Sequence, residues 1–409
     1  MANKLSSPRI GILTTSYPRS LSDEAGIFVK RLVEAWNSLK LSGLVIVPFD
    51  ENEPFRETQG GFRVLRYKYG LFKKGRLAFG AGILPNLRQN PLLALQIPGL
   101  IGGMTRIAFL ARKEYDIMQA NWLPAGVAAW LNHLLCRKPY TVTVRGEDAK
   151  FLQSRTLKYF FAPVLHHAAA VISVSKGFYK TLEDGFRLEA SKLHYIPNGV
   201  EIVAVDPKTC RDFVQARGLN PDEKYLLYVG RLIPLKRLEK LVELINAPGM
   251  QDYKLLVCGA ISDQEYYNKL KELISRLECQ QRVVFTGRVP PKEVPYYLAI
   301  AACYVSASEY EGRPNSILEA QAAGKVVFAS DIAAHREVIT PGQTGFLFDP
   351  GDLPSAAKKI LEVHADSALQ KKLARNCRKE AGLMSWKACA LHYHAVFASI
   401  LRQIQGTEP

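Results

Sequence analysis

Short apolar runs alternate along this chain with longer stretches in which apolar residues recur every three or four positions. The runs predict strands at 10–13, 44–47, 62–65, 117–120, 140–144, 170–174 and 193–196. Helical spacing falls between several of them, at 28–39, 125–135, 157–167 and 176–184. The stretch 201–221, with Asp206-Pro207, reads as an irregular linker. A second alternation then follows, with strands at 225–229, 253–258, 283–286, 303–305, 326–329 and 345–348. Helices are expected at 237–245, 265–277 and 386–403, the last with Leu391, Val396, Phe397, Ile400 and Leu401 on one side. Near-continuous apolar strands separated by amphipathic helices imply parallel sheets covered on both faces. The fold class is therefore α/β: two doubly wound, Rossmann-like domains facing across a cleft, at 1–200 and 201–385, followed by a terminal helix at 386–409. The two halves share this alternation but no sequence repeat.

Composition narrows the class. With 409 residues the chain is too long for one ordinary core. A hydrophobic content of 48% with 22% charged residues is that of a globular protein. The start of the chain shows no signal peptide, and no apolar run reaches the roughly 20 residues that span a bilayer. The best attempt, 91–104, is interrupted by Gln96, Pro98 and glycines. Seven cysteines without a Cys-x-x-Cys pair read as small hydrophobes in a reducing compartment.

The net charge of +16 is unevenly spread. Between Phe55 and Lys113 lie Arg56, Arg63, Arg66, Lys68, Lys73, Lys74, Arg76, Arg88, Arg106, Arg112 and Lys113 against Glu57 alone. Phe62, Tyr67, Tyr69, Leu71, Phe72, Leu77, Phe79 and the apolar run 83–95 are interleaved with them. That composition suits an anionic membrane surface. Nucleic acid would match the charge too, and a solvated basic face is the plain alternative.

In doubly wound sheets, function gathers at the carboxyl ends of the strands. The segment 306–324 reads as strand, tight turn with Gly312 and Pro314, then a helix that stops at Gly324. Its helix start, near Asn315 and Ser316, offers unpaired N–H groups to an anion, most simply phosphate. Glu311 stands before the turn and Glu319 about one helical turn inside. Two carboxylates would repel phosphate, and an ionised carboxylate only accepts hydrogen bonds. Vicinal hydroxyls of a sugar or ribose are their natural partners, so the segment points to a nucleotide sugar. Arg231 and Lys236 follow a glycine turn after another strand. Two cations at that edge are suited to clamp a diphosphate and hold its charge as it leaves. Gly287-Arg288-Val289 is a strand end that either edges a nucleobase or simply turns. Gly26 either lets a ligand approach the backbone or only starts a helix.

These stretches together resemble a known family. Gly230-Arg231-Leu232 with Lys236, and Glu311-Gly312-Arg313-Pro314-Asn315 with Glu319-Ala320, are similar to retaining glycosyltransferases of family four, of the bacterial polysaccharide-biosynthesis type. Pro197-Asn198-Gly199-Val200, Ser173-Val174-Ser175 and Gly345-Phe346-Leu347 match as well, so the likeness runs from about Ile10 to Phe397. The resemblance implies the GT-B fold. It also implies that Arg231, Lys236 and Glu311 are catalytic, the two cations on the donor diphosphate and Glu311 on the transferred sugar. Glu319 would hold the ribose. Gly312, Arg313, Asn315 and Ser316 would hold phosphate, and Arg288 and Val289 would lie at the base. Gly26, Arg145 and Asp148 would complete the donor set, and the helix beyond Trp386 would cross back to the first domain.

The sequence departs from the family where His-Gly-x-Asp is usual and Arg145-Gly146-Glu147-Asp148 stands instead. That histidine usually contacts the donor sugar, so Arg145 bears on sugar choice or adds a cation near the leaving group. A histidine usual near Asn121-Trp122 is missing, and Ala333-Ala334-His335-Arg336-Glu337 replaces a glycine-rich turn. The reaction implied is transfer of a sugar with retained configuration, the leaving phosphate taking the acceptor proton, with no metal or other cofactor. The implied acceptor, saccharide or lipid-linked, would bind the first domain of a cytoplasmic protein held peripherally on an anionic membrane, without nucleic acid. A nucleotide-sugar epimerase on the same fold, and more remotely a nucleic-acid-binding protein, are the alternatives.

Overall fold

The apolar runs assemble into two sheets. The computed structural model describes residues 8–18, 25–49, 54–70, 75–78, 82–145, 148, 151, 154–201 and 203–406. Lys73, Lys74, Leu71, Phe72, Phe79, Gly146 and Glu147 lie outside the described residues. Two units divide the chain: Met1–Gly199 with Trp386–Pro409, and Val200–Ser385.

The first unit holds strands β1 (Arg9–Thr14), β2 (Ser42–Pro48), β3 (Arg56–Gln59), β4 (Phe62–Tyr67), β5 (Ile117–Asn121), β6 (Tyr140–Val144), β7 (Ala170–Ser173) and β8 (Leu193–Tyr195). Their order is β3-β4-β2-β1-β5-β6-β7-β8. Every pairing is parallel except β3 with β4, an antiparallel edge hairpin absent from the sequence reading. β3 alternates exposed and half-buried residues and has no apolar run to announce it. β5 and β6 are buried at every position, as central strands covered on both faces must be.

The terminal helix, Trp386–Ile404, packs into this unit. Its Tyr393 and Phe397 surround Trp36, whose indole N–H donates to the Ala390 carbonyl at 3.2 Å. Gly199 lets the chain pass the start of that helix. A Cβ there would lie 2.4 Å from the Trp386 Cα.

Three expectations change. Residues 201–221 are not irregular throughout: Pro207–Gln215 is a helix. Asp206 caps it by accepting from Thr209 N at 2.8 Å, with Pro207 at its first position. The interruption expected within 91–104 does not occur. A 3-10 turn, Pro91–Gln96, runs straight into the helix Ile97–Leu110, giving one 20-residue stretch apolar and long enough to cross a bilayer by length and composition. Pro98 sits in the first helical turn, where no N–H is needed. Gln96 accepts from Arg76 N and Leu77 N at 3.0 and 3.1 Å, so its polarity is used locally. Leu100, Met104 and Ala108 are buried in the unit's core, so this stretch lies along the unit.

The basic, aromatic stretch is also not one surface patch. Phe62, Tyr67, Tyr69 and Leu77 are buried. Arg66 is buried against Glu57 at 2.8 Å, and Arg63 pairs with Glu114. Among the described residues of this stretch, the large apolar side chains that face outward are Phe55, Leu92, Leu95, Ile97 and Leu110, with Arg88 and Arg106 exposed near the last four in sequence.

The second unit holds β9 (Lys224–Val229), β10 (Tyr253–Cys258), β11 (Val283–Gly287), β12 (Ala301–Ser306), β13 (Val327–Ser330) and β14 (Gly345–Phe348). They are parallel, in the order β11-β10-β9-β12-β13-β14.

Candidate active site

In the second sheet the chain leaves β9 toward β10 on one side and returns to its other side with β12. Loops after two such strands diverge and leave a crevice at their carboxyl ends. The loop after β9 carries Arg231 and Lys236, and the loop after β12 carries Glu311. The two loops are joined by backbone: Glu309 N donates to the Leu235 carbonyl at 3.0 Å. Tyr304, fully buried in β12, reaches both sides, its hydroxyl 3.3 Å from the Val229 carbonyl and 2.7 Å from Ser316 Oγ. Burial raises its phenol far above the ordinary range, with Glu311 and Glu319 adding to the shift, so Tyr304 stays protonated.

The core of the site is an ion pair. Lys236 Nζ donates to Glu311 Oε1 at 2.5 Å, both side chains 16% exposed. The same oxygen accepts from Ser308 Oγ at 2.9 Å. Among the described residues, Glu311 Oε2 receives no hydrogen bond. The carboxylate is thus held by one oxygen and offers the other. Ser330 Oγ in turn donates to the Ser308 carbonyl at 2.6 Å. Beneath it lies His335, fully buried, whose Nδ1–H donates to the Ser330 carbonyl at 2.7 Å. Burial lowers the pKa of this imidazole and keeps it neutral, and its Nε2 has no partner among the described residues.

Arg231 is exposed, and its carbonyl accepts from Tyr228 at 3.1 Å. Burial raises the Tyr228 phenol well above its ordinary range, with Tyr304 and Glu311 adding to the shift and Arg231 opposing it. The helix Asn315–Ala322 begins at Pro314 without a side-chain cap; Asn315 N donates to the Arg313 carbonyl at 3.0 Å and Ile317 N to the Pro314 carbonyl at 3.1 Å, so among the described residues only the Ser316 N–H of this first turn is left for a ligand. Asn315 is exposed, and Glu319 and Ser316 are partly exposed on that helix. Gly312 lies in the turn before it. Gly324, with φ +76, ends it.

The remaining candidates make contacts of their own. The Arg313 side chain is buried, 3.6 Å from Glu337 and 3.7 Å from the Met384 sulfur. Arg288 and Val289 follow the edge strand β11, two strands from β9; Arg288 is exposed and Val289 is buried in the core. Gly26, Arg145 and Asp148 belong to the first unit. Gly26 has φ +72, and a Cβ there would lie 2.2 Å from the Ser16 carbonyl oxygen, so this turn requires glycine. Arg145 is buried, with Nε 3.2 Å from Asn121 Oδ1, Nη1 2.5 Å from Asn198 Oδ1 and the guanidinium 4.3 Å from the Phe28 ring. Asp148 spends both oxygens on backbone, accepting from Leu123 N at 3.0 Å and Arg145 N at 2.9 Å.

Tyr304 and Ser308 carry no functional signal in the sequence, and His335 shows there only as part of the stretch Ala333-Ala334-His335-Arg336-Glu337. A single tyrosine in an apolar strand and a histidine in a short helix carry no spacing signal. Only the fold brings them under Glu311. No cluster of three His, Cys, Asp or Glu side chains that could hold a metal ion occurs among the described residues.

Comparison with known proteins shows the family. Residues 211–380 match the model of glycosyl transferases group 1, and residues 25–199 match a glycosyl transferase 4-like domain. An uncharacterized glycosyltransferase of Methanocaldococcus jannaschii is 25% identical over 292 residues, covering 67% of this chain and 73% of that protein. The putative teichuronic acid biosynthesis glycosyltransferase TuaC of Bacillus subtilis is 26% identical over 331 residues, 78% of this chain and 80% of that one. HepE of Anabaena, solved in complex with UDP-glucose, aligns over 96% of this chain and 100% of its own with TM-score 0.72 and 19% identity. The chain belongs to the family-four type glycosyltransferases and has the GT-B fold.

Proposed function

We propose that this glycosyltransferase moves a hexose from a nucleotide-diphosphate sugar to a hydroxyl of a saccharide or lipid-linked saccharide, with retained anomeric configuration. The observation that carries the reading is Glu311, pinned through Oε1 by Lys236 and Ser308 with Oε2 open at the switch point of the second sheet. An acceptor-only group beside a cation and an uncapped helix start suits a sugar hydroxyl next to a diphosphate. Arg231, Lys236 and the backbone N–H groups of Gly312, Arg313 and Ser316 would stabilise the charge that develops on the leaving diphosphate. Glu319, one turn along, would take the ribose hydroxyls. The leaving phosphate would accept the acceptor proton, so no protein nucleophile or metal enters the step. HepE with bound UDP-glucose makes a uridine nucleotide the first donor to test.

The exposed leucines of 91–110 and their basic neighbours support a place on an anionic membrane at the cytoplasmic side, where a lipid-linked acceptor would be met. The experiment is mass spectrometry of a nucleotide-sugar panel incubated with the enzyme alone and then with lipid extract. A sugar-extended lipid product that requires the extract is expected. A new nucleotide sugar formed without it would replace transfer by epimerisation.

A further inference from the structure

Trp122 stands at the corresponding switch point of the first sheet, directly after β5, where the chain has β1 as neighbour. Its backbone has φ 69 and ψ 155, a region that only glycine occupies without strain. Three hydrogen bonds hold the peptide units there. Trp122 N donates to the Thr143 carbonyl at 3.0 Å, and its own carbonyl accepts from Gly126 N at 3.0 Å. The next N–H, Leu123, is fixed by Asp148 at 3.0 Å. A glycine would satisfy the same bonds without cost, so the strain is carried for the sake of the ring. That ring is partly exposed, and its indole N–H donates to no group among the described residues. One edge rests on Phe28, with centroids 5.3 Å apart at 63°. Phe28 is itself backed by the buried Arg145 guanidinium. The Phe28 edge contact and packing against the unit's buried core fix the indole, while part of the ring stays exposed together with its N–H donor.

We infer that Trp122 is a specificity-determining residue whose indole forms the stacking surface for the sugar ring of the acceptor. A pyranose offers an apolar C–H face to such a ring and a hydroxyl to the indole N–H. This rests on the transfer reaction proposed above. A ring held only for packing could be replaced by any apolar side chain of similar volume; a stacking surface must stay aromatic.

The test compares wild type with Trp122→Phe, Trp122→Leu and Trp122→Gly. UDP-glucose, UDP-galactose, UDP-N-acetylglucosamine and GDP-mannose serve as donors, and the methyl α-glycosides of the same sugars as acceptor probes. Donor hydrolysis by water, measured without acceptor, is expected to stay within twofold in the Phe and Leu variants. Transfer is expected to fall at least tenfold through the acceptor KM in Trp122→Leu and no more than threefold in Trp122→Phe. Trp122→Gly should melt no lower than Trp122→Leu despite losing the whole side chain, because glycine accepts that backbone. Equal transfer by the Phe and Leu variants overturns the inference, as does hydrolysis falling in step with transfer. A glycine variant melting well below the leucine one removes the strain argument. Wild type that hydrolyses a donor but glycosylates none of the glycosides defeats this inference alone, whereas wild type that consumes no donor defeats the function beneath it.

Discussion

The ammonium of Lys236 lies 2.5 Å from Glu311 Oε1, and Ser308 Oγ donates to the same oxygen, so a residue of one loop sets the orientation of a carboxylate on another. The sequence separates the pair by 75 positions. Adjacent β9 and β12 bring them together.

Lys236→Ala should lower turnover by about two orders of magnitude or more, the loss expected when a charge-stabilising contact is removed. It also leaves the largely buried Glu311 carboxylate with Ser308 alone. Urea denaturation should register a stability loss of about 1–3 kcal/mol. Adding Glu311→Gln to that variant should recover much of the stability while activity stays lost. Near-normal turnover of Lys236→Ala would remove Lys236 from its role.

Lys325 gives a pH signature. Its Nζ donates to the carbonyls of Ala299 and Ala301 at 2.9 and 2.8 Å, and burial lowers its pKa from 10.5 to about 8. The folded state therefore binds this proton less tightly than the unfolded chain. The stability contributed by Lys325 should be complete above pH 10.5 and be lost as pH falls through 8. Urea midpoints of wild type and Lys325→Met, compared at intervals across that window, should show wild type gaining on the variant as pH rises, by on the order of 3 kcal/mol in all. Parallel curves would contradict the shift.

Asp148→Asn keeps the shape but gives up the carboxylate that two backbone N–H groups share. A stability loss of about 1–3 kcal/mol is expected. Because Arg145 N is one of those donors and Leu123 N the other, thermal melting should fall further in Asp148→Ala than in Asp148→Asn. Equal melting of all three proteins would show that the carboxylate orders nothing.

The proposed membrane attachment should depend on Leu92 and Leu95, which are 74% and 68% exposed. Replacing both by serine removes on the order of 2 kcal/mol or more of apolar transfer energy. Flotation with anionic liposomes should drop at least tenfold for the double variant. Substituting Arg66, which is buried against Glu57, should instead cost stability. Unchanged flotation of the leucine variant would place any membrane contact elsewhere.

Periodicity in the sequence was enough to locate most strands, because a strand buried on both faces has to be an apolar run. β5 and β6 are of that kind. The hairpin strand β3, at the sheet edge, carries no such run and was invisible. The helix 207–215 was missed although Asp206-Pro207 announces its start, since nine residues of mostly polar sequence show little apolar periodicity. Within the site, Glu311 and Lys236 were legible because charged residues beside glycine turns at strand ends have few other uses. Tyr304, Ser308 and His335 were not, for their significance is wholly one of position.

By itself the amino-acid order determined the alternation of strand and helix, the division into two sheets and the residue types able to meet a diphosphate and a sugar. It could not say which of those side chains would be spent internally. Arg66, Arg145 and Asp148 read as surface or site charges, and folding buries all three against partners within their own unit. The same holds for the aromatic residues at 62, 67 and 69, which the composition assigned to a membrane-facing surface and the fold buries. Charge and apolarity are properties of a residue, but exposure is a property of its neighbours, and those are supplied by strands distant in the chain. The positive-φ backbone at Trp122 is the extreme case, since no local preference would put a tryptophan there and hydrogen bonds from distant strands and loops hold it.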